Sequence, residues 1–279
     1  MQVDTIADKL FYTTCIIESL VNGAVMSTGT GFIYGVNTAN GGDRFILTNK
    51  HVVDGAESVT IRMIRGHGGK PMAGAATQIT VDGFGSAVWA GHPHPDIDIA
   101  AIPFGVVSHS MNENGAPPYF HHVGPEICPT PDQAAALDSL EQVVFIGYPS
   151  GLYDQKNFLP IARRGSTATP VFIDHDGLPR FLIDASVFPG SSGSPVFLFD
   201  QAGFVDRLGN TNLGTPRLLC LGIVAAAVRR FNHGEVQLEP ARLTTTIEEL
   251  IDLGIVYKSS EFNTVVDILL HRQGDRRIT

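Results

Sequence analysis

The length and spacing of the apolar runs constrain this chain most. "TGFIYGV", "RFILTN", "SVTIRMI", "IDIAAIPF", "QVVFIGY", "PVFID", "PRFLIDA", "SPVFLFD" and "LLCLGIVAAAV" are short and rich in β-branched and aromatic side chains. Each is bounded by Gly, Pro, Asn or Asp. Strand-type runs with turn chemistry between them make an all-β pattern. Two hairpin turns are legible, over residues 37–44 and 174–180, where Asn-Gly and Asp-Gly supply the positive φ that tight turns require.

The strand signal stops over residues 108–131, a stretch dense in Pro, Gly and Asn that breaks helix and strand alike. It divides the chain into a first β unit (1–107), a linker (108–131), a second β unit (132–254) and a tail (255–279). Helix signals occur in three places. One is short, over 131–142. "LTTTIEELIDLG", over 243–254, has a Thr cap, Glu248 and Glu249 in its early turns and Gly254 as a stop. In the tail, Phe262, Val265, Val266, Leu269 and Leu270 stand at helical spacing, and this stripe is expected to pack on the body of the protein.

With 279 residues, 43% of them hydrophobic, the chain can bury a sizeable core as one domain or two fused subdomains. Its net charge of -9 repels phosphate backbones and anionic lipid surfaces, so neither nucleic acid nor membrane is expected as a partner. Basic residues cluster only as the pairs Arg163-Arg164, Arg229-Arg230 and Arg276-Arg277, which read as solvated surface or ion-pair partners. Asp4, Asp8 and Glu18 interrupt the N-terminal segment and no run approaches the roughly 20 apolar residues of a membrane span. A soluble, cytoplasmic protein is expected.

Cys15, Cys128 and Cys220 are odd in number and widely spaced, against a disulfide framework or a zinc site. His92, His94, Asp96, His121 and His122 include imidazole pairs that could hold a metal, but their Pro and Gly neighbours fit solvated loops better. "TGTGF" lacks the spacing and the following helix of a dinucleotide loop. No cofactor and no metal are expected.

"GSSGSP", residues 190–195, taken alone is equally a polar turn or a nucleophile with its oxyanion hole. A reactive serine needs a base to take its proton and a third group to orient that base. His51 stands after an apolar strand and before a turn, and Asp98 heads the apolar run from Ile99 to Ile102. Asp96 follows Pro95 in a loop, and Asp54 fits a cap on the turn after His51. If Ser192 is the nucleophile, the Gly190 and Ser192 amides must converge on one point, which side chains would obstruct.

The ordered set "TGTGF", "ILTNKHVV", "DIDIAAI", "GYPSG" and "GSSGSPV" resembles the trypsin-like serine peptidases, especially the bacterial glutamyl endopeptidases and the high-temperature-requirement proteases. The resemblance covers about residues 28–250. It implies two antiparallel β-barrels of the six-stranded type with the active site between them, followed by C-terminal helices. His51 would be the general base, Asp98 its orienting partner and Ser192 the nucleophile, with an oxyanion hole from Gly190 and Ser192. Residues 236–254 resemble the last strand and closing helix, which leaves the tail unexplained.

Ser191 stands where the animal zymogens of this family need an Asp to pair with a freshly cut N-terminus, so activation by that route is not expected. Restraint would then come from loop ordering, a partner or substrate access. By the same resemblance Ala225, Ala226 and Ala227 line the primary pocket, with Ser186 at its base. Val224 stands where glutamyl endopeptidases carry a His. This set predicts small or medium uncharged residues before the scissile bond, unless Arg229 or Arg230 reaches in to favour an acidic one. The expected function is a serine endopeptidase acting on protein or peptide substrates, latent until a partner or signal acts. The alternative is a protease-fold binding module whose cleft or C-terminal tail docks a partner protein.

Overall fold

The structure, a computed structural model, describes residues 3–238 and 241–278, with the side chains of 229–250 outside the description. The chain opens with α1 (Ile6–Leu10), fixed at its start by a capping box between Thr5 and Asp8. Strands β1 (Thr14–Val21), β2 (Ala24–Thr38) and β3 (Gly41–Thr48) form a meander, and α2 (Lys50–Val53) follows β3 after a single residue. With β4 (Ser58–His67), β5 (Lys70–Asp82), β6 (Ala90–Gly91) and β7 (Ala100–Pro103) they make a seven-stranded sheet in the order β5-β4-β1-β2-β3-β7-β6. Its interior is apolar, with Ile17, Ile33, Ile46, Val52 and Ile61 all fully buried.

The Pro-, Gly- and Asn-rich stretch from residue 108, expected to break helix and strand alike, begins within a helix. Helix α3 (Phe104–Glu113) runs into it, because Phe104, Val107 and Met111 recur at helical spacing and bury against the first sheet. After α4 (Pro131–Ala135) the second unit begins. Strands β8 (Gln142–Gly147), β9 (Ile161–Thr167), β10 (Arg180–Asp184), β11 (Pro195–Asp200), β14 (Arg217–Leu238) and β15 (Ala241–Lys258) close into a barrel in the order β10-β15-β14-β11-β8-β9. A small ribbon, β12 (Gly203–Val205) with β13 (Thr211–Leu213), stands apart. The Asp-Gly turn before β10 lies at its expected place, with Asp176 at φ 54 and Gly177 at φ 71.

The helix expected over 243–254 is instead strand, part of β15. The run Thr244-Thr245-Thr246-Ile247 is β-branched, and the segment pairs residue by residue with β14, from Arg229↔Leu250 to Leu238↔Ala241. Ladder pairing over that length outweighs a Thr cap and a terminal glycine. The closing helix comes later, as α5 (Phe262–Arg272), after a 3-10 turn at Ser259–Glu261.

The tail stripe packs on the body as expected. Phe262, Val265, Val266, Leu269 and Leu270 all enter a core shared with Phe32, Tyr34 and Phe45 of the first sheet and Phe197 and Ile223 of the barrel. The Phe262 ring lies 5.5 Å from that of Phe32 and 5.6 Å from that of Tyr34. Burying each such side chain contributes about 1.5–3 kcal/mol, so α5 joins the two β units. Among the described residues no helix is long and apolar enough to cross a membrane.

Candidate active site

Strand β3 ends at Thr48, and the single helical turn of α2 carries His51 to the edge of the sheet facing the start of β7. There His51 Nδ1 lies 2.5 Å from Asp98 Oδ2, and the His51 amide donates to Asp98 Oδ1 at 3.1 Å. A carboxylate against Nδ1 favours the tautomer protonated there, leaving the Nε2 lone pair free. Asp96 does not meet His51; its side chain is exposed, and its carbonyl accepts the Tyr257 hydroxyl. Asp54 closes the α2 turn, its amide donating to Lys50 O.

The residues flanking His51 hold the Asp98 loop. Asn49, fully buried, donates from Nδ2 to the Asp98 carbonyl at 2.5 Å. Lys50 Nζ donates to the carbonyls of His92, His94 and Pro95 at 3.1, 2.9 and 3.1 Å. His92 is not the solvated-loop residue its neighbours suggest: it is 8% exposed. Its Nε2 lies 3.2 Å from Glu261 Oε2 and its Nδ1 accepts the His94 amide. Nε2 thus joins the loop to the start of α5 while Nδ1 bonds within the loop, and burial pushes the pKa of His92 down. Among the described residues no group of three or more His, Cys, Asp or Glu is disposed to hold a metal ion.

Ser192 lies between β10 and β11 on a turn that only glycine permits at two points. Gly190 has φ +84, and a Cβ there would stand 2.5 Å from the Tyr148 carbonyl; Gly193 has φ +90, and a Cβ there would stand 1.7 Å from the Thr30 carbonyl. Thr30 of β2 ties this turn to the first sheet. Its amide donates to Ser192 O at 2.8 Å. Its hydroxyl donates to Gly190 O at 2.9 Å and accepts the Tyr148 amide at 3.0 Å. Gly29 is wedged between Val52, next to His51, and the Ser192 carbonyl, at 2.7 and 3.3 Å from a Cβ built on it.

Among the described residues, the amides of Gly190 and Ser192 donate to no protein group, whereas those of Ser191, Gly193 and Ser194 are all satisfied. The Ser192 hydroxyl donates to Ala225 O at 2.9 Å rather than to His51. That carbonyl is free because a β-bulge between Val224 and Ala226 lifts Ala225 out of the β14–β15 ladder. The His51 side chain is 48% exposed, open to an incoming group.

Of the expected pocket residues, Ser186 and Ala226 are exposed, Ala227 is half-buried and Ala225 is buried. Val224 is fully buried in the barrel core with Ala185 and Val187. The side chains of Arg229 and Arg230 lie outside the described residues. Two contributors escape a reading of motifs: Thr30, inside "TGTGF", and Arg163, half of a basic pair that reads as solvated. Arg164 is exposed, but Arg163 turns inward, its Nη1 donating to Ser186 O at 2.6 Å and its Nη2 to Ser191 Oγ at 2.5 Å. The alternation of β9 carried the signal, since Arg163 shares its face with Ile161 and Gly165. The three cysteines are free; Cys15 and Cys220 are buried, and burial pushes the Cys15 thiol up to about 12.

Residues 29–205, more than half of the chain, match the family model of the trypsin-like peptidase domain. No curated protein matches. Among solved structures the chain is similar to the Rv3671c protease in its inactive form, at 19% identity over 95% of this chain and 91% of that one, with a TM-score of 0.45. The serine endoprotease from Yersinia pestis shows 16% identity over 98% and 69% of the two chains, with a TM-score of 0.45. The MamO protease domain from Magnetospirillum magneticum, in its apo form, shows 12% identity over 93% and 98%, again with a TM-score of 0.45. The matched segment spans His51, Asp98 and Ser192, and the chain belongs to the trypsin-like peptidase domain family, a family of serine proteases.

Proposed function

We propose that this chain is a serine endopeptidase that cleaves peptide bonds through an acyl-enzyme. His51 is the general base, Asp98 its orienting partner, Ser192 the nucleophile, and the Gly190 and Ser192 amides the oxyanion hole. The observation that carries this reading is the 2.5 Å contact between His51 Nδ1 and Asp98, made by a base with an open Nε2 in a chain whose Ser192 turn keeps two amides undonated.

With substrate in the cleft, the Ser192 hydroxyl leaves Ala225 O and gives its proton to His51 Nε2 as Oγ bonds to the scissile carbonyl carbon. The carbonyl oxygen becomes the oxyanion and accepts the two amides. His51⁺, stabilised by Asp98, then protonates the leaving amine as the C–N bond breaks, and water repeats the sequence to release the acid. Residues 1–107 supply base and acid, 108–131 connect, and 132–254 supply the nucleophile. Ser186 and Ala225 to Ala227 form a pocket for small or medium uncharged side chains. The three free cysteines support the cytoplasmic location expected from the sequence, and these steps need no cofactor.

Labelling with a fluorophosphonate probe tests it. The expected result is one adduct, on Ser192, lost in Ser192→Ala and in denatured protein. Absence of an adduct under conditions that label trypsin overturns the reading.

One observation favours a second reading, a protease-fold binding module: the Ser192 hydroxyl is engaged with Ala225 O. A module of that kind binds peptides equally well as Ser192→Ala and takes up no probe. A regulatory partner on the tail would have to use a surface other than the apolar stripe of α5, which is already inside the core.

A further inference from the structure

We propose that Arg163 is a positioning residue: its guanidinium clamps the loop from Ser186 to Ser191 and thereby holds the Gly190 and Ser192 amides convergent. The inference rests on the reading of Ser192 as nucleophile. Arg163 touches no reacting atom. It reaches from β9 to two points of the loop, the Ser186 carbonyl at 2.6 Å and the Ser191 hydroxyl at 2.5 Å.

Ser191 Oγ also accepts the Phe188 amide at 3.3 Å, and the Ser191 amide donates back to Phe188 O at 3.0 Å. The loop is therefore a closed turn bracketed by one cation. The guanidinium carbon stands 4.5 Å from the Phe145 ring centroid, in the barrel wall, and 5.9 Å from that of Phe188, in the loop itself. Two hydrogen bonds and two rings orient it.

No carboxylate among the described residues lies within ion-pair distance of Arg163, and its buried Nε has no hydrogen-bond partner. Burial pulls its pKa down to about 10, which still leaves it a cation at neutral pH. Burying a lone cation is costly, and the hydrogen-bond acceptors that offset the cost here, Ser186 O and Ser191 Oγ, are both on the oxyanion loop. Ser191, being neutral, offers no anchor to a new N-terminal ammonium; the cation comes instead from within the barrel. The clamp holds the loop without a freshly cut N-terminus.

The test uses Arg163→Met and Arg163→Lys in the full chain, with two readouts. Amide hydrogen exchange over residues 186–193 is expected to quicken about tenfold or more in Arg163→Met, less in Arg163→Lys, with β8, β11 and β14 unchanged. In the peptidase assay kcat is expected to fall about 10- to 100-fold with KM within about twofold, because the lost interaction acts on the oxyanion. Added guanidinium should partly restore kcat in Arg163→Gly. Unchanged exchange overturns the clamp whatever the activity. Quickened loop exchange in a protein that takes no fluorophosphonate leaves the clamp standing as a fold element and overturns its catalytic purpose together with the proposed function. Labelling of wild type with kcat unchanged in Arg163→Met overturns the positioning role of Arg163 and leaves the proposed function standing. Should Arg163→Met fail to fold, Arg163→Lys carries both readouts.

Discussion

The two halves of the candidate site are built on different principles. On the first sheet, His51 and Asp98 are side chains held by their own neighbours: Asn49 and Lys50, adjacent to His51, bond the backbone that carries Asp98. On the barrel, what matters is the path of the main chain through Gly190 and Gly193. That path is held from far away, by Thr30 across the cleft and by Arg163 behind the loop. The first half presents chemistry on a rigid edge. The second makes chemistry out of backbone conformation.

Replacing one residue in each half should therefore fail in different ways. Gly193→Ala carries the largest expected effect. Its Cβ would sit 1.7 Å from the Thr30 carbonyl at a φ of +90, so the turn cannot persist as it is. We expect a loss of about 3 kcal/mol or more of stability and complete loss of fluorophosphonate labelling, measured by urea unfolding and by mass spectrometry. Wild-type stability in this variant would show that the barrel half is less conformationally exacting than argued.

Asp98→Asn should do the reverse. The amide keeps the shape and the contact with the His51 amide, but it can turn an N–H toward Nδ1 and stabilise the wrong tautomer. The expected fall in kcat is about 10⁴-fold, with thermal stability near that of wild type. A fall in stability matching the fall in activity would mean that the acid half, too, is primarily a folding element.

The same contrast explains what the sequence disclosed. The pairing of His51 with Asp98 rather than Asp96 was legible because each of the two stands in a local pattern, at the end or head of an apolar strand. The stripe of α5 was legible for the same reason, since helical spacing is local. Arg163 and Thr30 were not. Arg163 bonds groups 23 and 28 residues away, and Thr30 bonds groups 118 and 160 residues away. The alternation of β9 marks Arg163 as inward-facing, but nothing in "IARRG" or "TGTGF" announces those partners. Residues 243–254 failed in the opposite sense: their local helix signals are real, but pairing along β14 overrides them. Over residues 243–254 long-range hydrogen bonding decided the outcome against the local pattern.

The smallest expected effect sharpens the comparison through pH. Burial pushes the pKa of His92 below its ordinary value, Lys50 adds to the depression, and the Glu261 carboxylate opposes it. Burial likewise depresses His121. The unfolded chain protonates these imidazoles at about 6.5, so between that pH and the lower folded value it binds more protons than the native state. Stability rises with pH in that window. Their contribution is fully present above about pH 6.5 and is lost as acid carries the solution down through the folded values. Melting temperature should accordingly fall between pH 7.5 and pH 5, and His92→Gln should flatten part of that fall. A proton entering at His92 takes the Nδ1 lone pair that accepts the His94 amide, so amide exchange at pH 5 should quicken over residues 92–98 before it quickens over 186–193. A melting temperature independent of pH, or the opposite order of exchange, would show that the His51 edge is not braced through His92.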